Sequence, residues 1–241
     1  MSILSAPGAR PVIGHRGAAA HAPENTIRSF RLALEQGADA LELDVRAAAD
    51  GVPVVIHDPD TSRTTGEALV VARETAARLR GLGAGIPTLD EVLETFPGAT
   101  LLLEVKVAAV QEAVLAALRA HGATRRVAVG SEHHAVLAAF RGTDVAVSGS
   151  RREIGALWAR ARLGLPSGRI RCAMFAVPER WRGLRVPTAG FLRRAHAAGA
   201  TVHVWTVDDP GRARALWAAG VQGIVTNDPA AIVRARQDCA A

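Results

Sequence analysis

Residues 11–17 read Pro-Val-Ile-Gly-His-Arg-Gly, a short apolar run that ends in two basic side chains. The run predicts a buried strand over residues 11–14, because Val and Ile favour strands and a glycine follows at the turn. Residues 26–36, Thr-Ile-Arg-Ser-Phe-Arg-Leu-Ala-Leu-Glu-Gln, have the apolar spacing of an amphipathic helix. This strand–helix pair is the unit that the rest of the chain repeats.

Seven further βα units follow the first. The predicted strands cover residues 11–14, 40–45, 100–106, 126–130, 144–148, 170–176, 201–206 and 223–226. The predicted helices cover residues 26–36, 89–95, 107–120, 132–140, 151–163, 188–198, 210–219 and 229–237. Eight such units in 241 residues predict an α/β protein, a TIM (β/α)8 barrel that forms one domain over residues 1–241. A doubly wound open sheet is the alternative, although no strand is followed by the Gly-x-Gly-x-x-Gly turn of dinucleotide-binding folds.

One region departs from the repeat. An extra strand is predicted over residues 52–56, and residues 58–88 then show little regular pattern. We interpret residues 58–88 as a short insertion after the second strand unit.

The composition excludes several classes of protein. Basic residues outnumber acidic ones, with a net charge of +6, but no basic run with interleaved aromatics occurs, so we expect no nucleic-acid partner. No segment reaches the roughly 20 apolar residues of a membrane-spanning helix, and residues 1–10 lack the apolar run of a signal peptide. The two cysteines show neither disulfide nor metal spacing, so we expect a cytoplasmic protein. The sequence does not indicate an oligomeric state.

Charged residues cluster at the predicted strand ends. Strand one ends at His15, strand two carries Glu42 and Asp44, and strand three carries Glu104 and Lys106 on one face. Barrel enzymes place their chemistry at the carboxyl ends of their strands, so this set predicts a metal-assisted phosphoester site. Taken singly, each has a structural alternative: the carboxylates could form strand-end ion pairs with basic neighbours, and the histidine could be structural. Lys106 is also the single lysine among 29 basic residues.

A set of ordered motifs runs through nearly the whole chain. They are Gly14-His15-Arg16-Gly17, Pro23-Glu24-Asn25-Thr26, Glu42-Leu43-Asp44-Val45, His57-Asp58, Ile86-Pro87-Thr88-Leu89-Asp90-Glu91-Val92-Leu93, Glu104-Val105-Lys106, Val204-Trp205-Thr206-Val207 and Gly223-Ile224-Val225-Thr226-Asn227-Asp228-Pro229. Through these motifs and their order along the chain, the sequence resembles the glycerophosphodiester phosphodiesterase family. The resemblance implies a barrel of the phosphoinositide-phospholipase-C type and hydrolysis of glycerophosphodiesters to glycerol 3-phosphate and an alcohol.

The resemblance also implies roles for individual residues. His15 and His57 are expected to be the catalytic histidines, one accepting a proton from the attacking hydroxyl and the other protonating the departing alkoxide. The family pattern further suggests that the glycerol 2-hydroxyl attacks first, and that water opens the resulting cyclic phosphate.

Glu42, Asp44 and Glu104 are expected by the same resemblance to bind one divalent cation. Three carboxylate ligands favour Mg²⁺ or Ca²⁺ over Zn²⁺, and Mn²⁺ is also compatible.

The remaining positions concern the substrate. Arg16 and Lys106 are expected to contact the phosphate, Trp205 to line the alcohol pocket, and Glu24 to support the loop after strand one. The scarcity of aromatic residues, four Trp, five Phe and no Tyr, argues against a choline-binding aromatic box and for loose selectivity toward the alcohol.

Two other functions compete with this interpretation. A lysophospholipase-D-like or sphingomyelinase-D-like phosphodiesterase would use the same barrel and site, but such enzymes are typically secreted and disulfide-bonded. A glycerophosphate-binding barrel without catalysis would be expected to lack one of the four residues His15, His57, Glu42 and Glu104, and all four are present.

Overall fold

Eight parallel strands form a barrel in the computed structural model, which describes residues 2–83 and 85–239. In chain order the strands are β1 (Val12–His15), β2 (Ala40–Ala47), β3 (Pro53–Val55), β4 (Thr100–Val105), β5 (Val127–Gly130), β6 (Ala146–Val147), β7 (Met174–Pro178), β8 (Arg180–Trp181), β9 (Leu184–Arg185), β10 (Thr201–Trp205) and β11 (Gly223–Thr226). Around the barrel the order is β6-β5-β4-β2-β1-β11-β10-β7, with every neighbouring pair parallel. A parallel bridge from Ser148 to Met174 links β6 to β7. The TIM barrel predicted from the sequence is confirmed.

Helices surround the barrel. They are α1 (Ile27–Glu35), α2 (Ser62–Thr65), α3 (Ala76–Arg80), α4 (Leu89–Thr95), α5 (Gln111–Ala120), α6 (Arg151–Arg162), α7 (Ala189–Ala197), α8 (Pro210–Ala218) and α9 (Pro229–Asp238). Within residues 2–83 and 85–239, no helix has the length and apolar character needed to cross a membrane.

The fourth predicted helix, over residues 132–140, is wrong in type and length. A 3₁₀ turn over Val136–Phe140 is present instead. Gly142 follows with φ +82°, which ends the segment, and five residues are too few to offset the cost of nucleating an α-helix. The strand predicted over residues 170–176 is β7, which begins at Met174 rather than at residue 170, because its partner strand β10 begins at Thr201, opposite Met174.

Residues 58–88 contain three short helical turns, α2, α3 and the 3₁₀ turn Val71–Arg73. β3, which corresponds to the extra strand predicted over residues 52–56, precedes them and pairs antiparallel with β2. Apolar side chains from this stretch, among them Val71, Leu79 and Ile86, pack with Val54 into a small cluster of their own. This cluster fixes the stretch against the barrel beside the end of β2.

A separate layer of side chains fills the interior of the barrel. One buried cluster combines side chains from six strands with Leu4, which precedes them in the chain. Its members are Leu4, Ile13, Ala40, Leu102, Ala128, Met174 and Val225. Leu4 belongs to the 3₁₀ turn Ile3–Ser5, which precedes β1. Its carbonyl accepts hydrogen bonds from the Thr201 hydroxyl at 2.6 Å and from His203 Nε2 at 2.7 Å. The amino-terminal turn therefore closes the end of the barrel at which the strands begin.

Candidate active site

The strand ends surround one cavity of about 340 Å³. Seven of the nine predicted site residues line it, namely His15, Arg16, Glu42, His57, Glu104, Lys106 and Trp205. The other two, Asp44 and Glu24, lie beside it in contact with Arg16. The structure thus brings the predicted residues together at the end of the barrel where enzymes of this architecture carry their chemistry.

Three carboxylates meet at the edge of this cavity because of the strand register. Glu42 and Asp44 lie two residues apart on β2 and share a face, and Asp44 is the register partner of Glu104 on β4. One oxygen from each lies within 4.8 Å of the other two. Burial and the charges of Asp44 and Glu104 raise the pKa of Glu42 well above its usual range. The three carboxylates therefore carry more negative charge than the neighbouring basic side chains neutralise.

Asp44 is the carboxylate of the cluster whose negative charge is balanced by basic neighbours. Lys106 Nζ lies 2.8 Å from Asp44 Oδ1 and also 2.8 Å from Glu104 Oε2. Asn25 Nδ2 donates to Asp44 Oδ2 at 3.0 Å, and Arg16 Nε lies 3.1 Å from the same oxygen. Burial alone would raise the pKa of Asp44, but the charges of Lys106 and Arg16 outweigh it and lower the pKa. Lys106 therefore contacts two carboxylates. A simple strand-end ion pair would involve Glu104 alone.

The loop after β1 is shaped to present Arg16. Arg16 itself has φ +52°, and its backbone N–H donates to Glu42 Oε2 at 3.0 Å. Gly17 follows with φ +89°, and a Cβ there would lie 2.4 Å from Ser29 Oγ, so only glycine fits. The guanidinium then reaches Glu24, with Nη1 2.9 Å from Oε1. Glu24 thus holds the side chain of Arg16, as expected of a supporting residue.

His15 has a defined tautomer. Its Nδ1 lies 2.7 Å from Asn227 Oδ1, and Asn227 donates its own Nδ2 hydrogen to Asp208 at 2.8 Å. Because the amide oxygen can only accept, Nδ1 of His15 carries the hydrogen and Nε2 is left for other partners. Burial lowers the pKa of His15, although the Asn227 hydrogen bond opposes the shift. The neutral imidazole can accept a proton at Nε2.

His57 has a carboxylate as its partner. Its Nδ1 lies 2.7 Å from Asp58 Oδ1, and Arg63 Nε lies 2.6 Å from Asp58 Oδ2. The same guanidinium donates to Glu24 Oε2 at 2.8 Å, which links His57 to the loop that presents Arg16. Hydrogen bonds from His57 and Arg63 outweigh the effect of burial and lower the pKa of Asp58. The ionised carboxylate accepts from Nδ1, so the ring of His57 is held in a fixed orientation.

Five polar residues in these networks were not predicted as site residues: Asn25, Asp58, Arg63, Asp208 and Asn227. Asn25, Asp58 and Asn227 lie inside the ordered motifs and could have been found there. Arg63 and Asp208 carry no signal of their own, since a single arginine in an irregular stretch and an aspartate before a helix are both common.

The opposite side of the cavity is aromatic. Trp158, Trp181 and Trp205 all line it, so three of the four tryptophans of the chain lie in one place. Trp217, the fourth, is buried in the packing outside the barrel. The small number of aromatic residues in the chain therefore does not prevent an aromatic lining here, because three of the tryptophans are concentrated at this cavity.

Known proteins with similar sequences and structures support this fold. The model of the glycerophosphoryl diester phosphodiesterase family matches residues 15–231. A glycerophosphodiester phosphodiesterase of Caldanaerobacter subterraneus subsp. tengcongensis is 29% identical over 240 residues, which cover 92% of this chain and 96% of that protein. A probable glycerophosphodiester phosphodiesterase 2 of Mycobacterium tuberculosis is 33% identical over 238 residues, 91% of this chain and 88% of that protein. An Oleispira antarctica phosphodiesterase, solved in complex with the product sn-glycerol-3-phosphate, superposes with a TM-score of 0.80 at 25% identity, covering 98% of this chain and all of that chain.

The fold and these relatives define a barrel enzyme of the phosphoric diester hydrolase class. The chain belongs to the glycerophosphoryl diester phosphodiesterase family, and its match to that family extends over nearly its whole length.

Proposed function

We propose that this enzyme hydrolyses glycerophosphodiesters to glycerol 3-phosphate and an alcohol, using one divalent cation and two histidines. The observation that carries this proposal is the three-carboxylate cluster of Glu42, Asp44 and Glu104, which lies at the edge of the cavity that His15 and His57 line. A charged phosphodiester entering that cavity meets a cation site and two groups able to move protons.

The donor set fits a hard divalent cation. Glu42, Asp44 and Glu104 would hold the ion. The pKa of Glu42 is raised by burial and by the charges of Asp44 and Glu104, and a bound cation would oppose both effects. Three carboxylate oxygens favour Mg²⁺ or Ca²⁺, and Mn²⁺ is compatible as well. When bound, the ion supplies polarisation of a phosphoryl oxygen and stabilises the negative charge that develops on it.

The two histidines divide the proton transfers between them according to their partners. His15 is hydrogen-bonded to a neutral amide and begins as the base, accepting the proton of the attacking hydroxyl at Nε2. His57 is hydrogen-bonded at Nδ1 to the carboxylate of Asp58, which fixes its ring, and it takes the complementary role of the acid that protonates the departing alkoxide. The resemblance described above makes the glycerol 2-hydroxyl the first nucleophile, after which the roles reverse as water opens the cyclic phosphate.

Arg16 and Lys106 bind the phosphate in this proposal. Both line the cavity, and both are held at its carboxylate edge by Asp44. A guanidinium offers two parallel hydrogen bonds to a phosphoryl group, whereas the ammonium acts as a point charge. Trp205, which is 41% exposed, offers its ring to the organic part of the substrate.

The substrate is a small molecule, and the aromatic side of the cavity supports recognition of its alcohol portion. We also assign residues 1–241 to a single domain in which residues 58–88 form the insertion, because the insertion packs directly on β2. A cytoplasmic setting is compatible with the free cysteines, Cys172 and Cys239, since a reducing compartment keeps thiols unpaired.

Turnover of a panel of glycerophosphodiesters tests the proposal. Release of glycerol 3-phosphate should require Mg²⁺, Ca²⁺ or Mn²⁺ and should stop in excess chelator. A cyclic phosphate as sole product would support a phosphotransferase of the lysophospholipase-D or sphingomyelinase-D type instead. Binding of glycerol 3-phosphate without any turnover would support the non-catalytic barrel.

A further inference from the structure

The positive charge of the protein is concentrated in one stretch of the chain. Residues 151–200 contain eleven arginines and two carboxylates, a net charge of +9, whereas the rest of the chain carries 18 basic and 21 acidic side chains, a net charge of −3. A general preference for arginine does not explain why acidic residues are missing from this stretch.

The exposed charges of residues 151–200 all have the same sign. Ten of the eleven arginines are exposed. Glu153 is half-buried and paired with Arg141. Glu179 is likewise half-buried and is paired with Arg212. A partner that approaches this part of the surface therefore meets guanidinium groups and no exposed carboxylate, which favours a partner with negative charge.

Within this stretch, β8 and β9 form a hairpin at the rim of the cavity. Arg182 and Gly183 connect the two strands with φ +48° and +82°, the backbone of a tight two-residue turn. Trp181 is paired with Leu184 across this turn, so the two apolar side chains lie on one face of the hairpin. Trp181 is 47% exposed and Leu184 is 48% exposed. Two adjacent large apolar side chains thus stand half in water.

Four arginines surround this apolar pair. Trp158 Nε1 donates to the carbonyl of Arg185 at 2.9 Å, and the guanidinium of Arg162 lies 5.1 Å from the ring centroid of Trp158, so α6 adjoins the hairpin. The guanidinium of Arg182 lies 4.8 Å from the ring centroid of Trp181. None of the four arginines is paired with a carboxylate of residues 2–83 or 85–239. We call the following six residues the hairpin patch: Arg162, Arg180, Trp181, Arg182, Leu184 and Arg185.

We propose that the hairpin patch docks the protein on the surface of a bilayer that contains anionic lipids. Trp181 and Leu184 enter the boundary between headgroups and acyl chains, where tryptophan is enriched in membrane proteins. The arginines keep their charged ends among the lipid phosphates while their apolar stems cover the boundary. The docking gives the protein a location, and it depends neither on the reaction nor on the identity of the substrate.

A nucleic acid is the other polyanion that a basic surface could bind. Sites for single strands stack successive bases on several aromatic rings, whereas the hairpin patch offers one exposed ring. An exposed leucine gains nothing from a phosphate backbone, but it gains free energy at the apolar boundary of a bilayer. The pairing of Trp181 with Leu184 therefore favours the lipid surface.

Co-sedimentation of the full chain with lipid vesicles tests the docking. One set of vesicles is phosphatidylcholine alone, and the other contains equal parts of phosphatidylcholine and phosphatidylserine. Excess chelator is present, so that no divalent cation bridges protein and lipid. We expect at least tenfold stronger binding to the vesicles with phosphatidylserine, and weaker binding as added salt screens the arginines. Glycerol 3-phosphate should not displace the protein, because the hairpin patch lies outside the phosphate site.

Charge variants connect the binding to the hairpin patch. The double variant Arg182→Gln with Arg185→Gln should bind the anionic vesicles at least tenfold more weakly, since each arginine near an anionic surface is worth about fivefold in binding. The matched control is Arg28→Gln with Arg31→Gln. It removes the same charge from two exposed positions on α1, which follows a strand three places away around the barrel, and it should bind like the wild type.

Apolar variants distinguish insertion from simple charge attraction. Leu184→Ser should weaken binding about fivefold, whereas Val70→Ser, at a side chain that is 45% exposed in the insertion, should not. Trp181→Phe keeps an apolar ring and should keep most of the binding. It should lose the shift of tryptophan emission to shorter wavelength that the wild type shows on anionic vesicles. Unfolding midpoints identify any variant that fails to fold, and the wild-type comparison of the two vesicle compositions stands without the variants.

The outcomes are separable. Equal binding to both kinds of vesicle, or equal losses in the two double arginine variants, would overturn the docking. Displacement by glycerol 3-phosphate would place the lipid headgroup in the cavity and would overturn it as well. Tighter binding to DNA than to vesicles, with no loss in Leu184→Ser, would assign the hairpin patch to a nucleic acid instead. None of these measurements uses turnover, so a lack of phosphodiesterase activity would overturn the proposed function alone.

Discussion

Arg63 Nε lies 2.6 Å from Oδ2 of Asp58, whose other oxygen accepts a hydrogen bond from His57 at 2.7 Å. The guanidinium is also bonded to both oxygens of Glu24, at 2.8 Å and 2.6 Å. Arg63 belongs to α2, in the insertion, and its side chain is half exposed. The insertion therefore contributes a residue that fixes the orientation of His57 without facing the cavity itself.

Loss of Arg63 should slow the reaction. In Arg63→Met the carboxylate of Asp58 can rotate, and His57 loses its fixed orientation, so we expect kcat to fall on the order of 10-fold to 100-fold with little change in KM. Arg63→Lys should recover part of the rate. Arg78→Met is the control, since Arg78 lies in the same insertion, is equally exposed and pairs with Glu67. Equal rates for Arg63→Met and Arg78→Met would show that the contact is not used.

The two histidines should respond differently to the leaving group. His15→Ala and His57→Ala should each cost on the order of a hundredfold or more in rate, which is the size of a general acid–base contribution. Nitrophenolate departs without a proton, so a nitrophenyl diester should restore turnover to His57→Ala and not to His15→Ala. His133→Ala, at an exposed histidine, serves as the control. Rescue of His15→Ala instead would reverse the assignment of acid and base.

Cation binding should be measurable without turnover. Mg²⁺ or Ca²⁺ should raise the unfolding midpoint of the wild-type protein, because a ligand at 100 times its Kd stabilises by about 2.7 kcal/mol. The raised pKa of Glu42 means that cation binding displaces a proton, so the shift should grow as the pH rises. Glu42→Gln should lose both the shift and the activity, whereas Glu94→Gln, at an exposed position, should keep both. Full activity of Glu42→Gln in excess chelator would rule out the site.

Lys106→Arg should lose most of the activity although it keeps the charge. The ammonium fits between Asp44 and Glu104 at 2.8 Å from each, and a planar guanidinium is longer and cannot take that place. The alternative is a structural ion pair, in which arginine would serve as well. Turnover and the unfolding midpoint of Lys106→Arg distinguish the two, since unchanged values of both would make the lysine structural.

His203 should make the protein sensitive to acid. The side chain is fully buried against Leu4, and burial lowers its pKa to about 4. The unfolded chain binds this proton near pH 6.5, so the folded state loses stability as the pH falls from about 6.5 to about 4, by roughly 3 kcal/mol in all. Urea unfolding of His203→Gln should show a shallower loss over that window than the wild type or His196→Gln, which alters an exposed histidine. Parallel losses in all three proteins would contradict the prediction.

Much of this architecture could be predicted from the sequence because the signals were local. Apolar runs mark the strands, and glycines mark helix ends: Gly37 and Gly122 closely follow α1 and α5 and have φ +88° and +57°. Glu42 and Asp44 could be paired from their spacing alone, since alternate residues of a strand share a face.

The parts that could not be predicted depend on contacts between distant segments. Trp158 and Trp181 meet only because α6 and the β8–β9 hairpin fold over the same barrel end, and two-residue strands leave no periodic signal. Arg63 likewise acquires its partners through an irregular stretch that packs beside β2. The amino-acid composition gives the number of aromatic residues, but it does not indicate that three tryptophans line the same cavity in the folded protein.

β1 lies between β2 and β11, with Ile13 paired to Ala40 on one side and to Val225 on the other. Translation delivers β1 and β2 well before β11. A nascent chain therefore carries an open edge on its first strand until residues 223–226 have left the ribosome, and exposed edges invite pairing with other chains. The ring that gathers the candidate site residues is completed only when β11 emerges, and until then the cell must keep that edge from wrong partners.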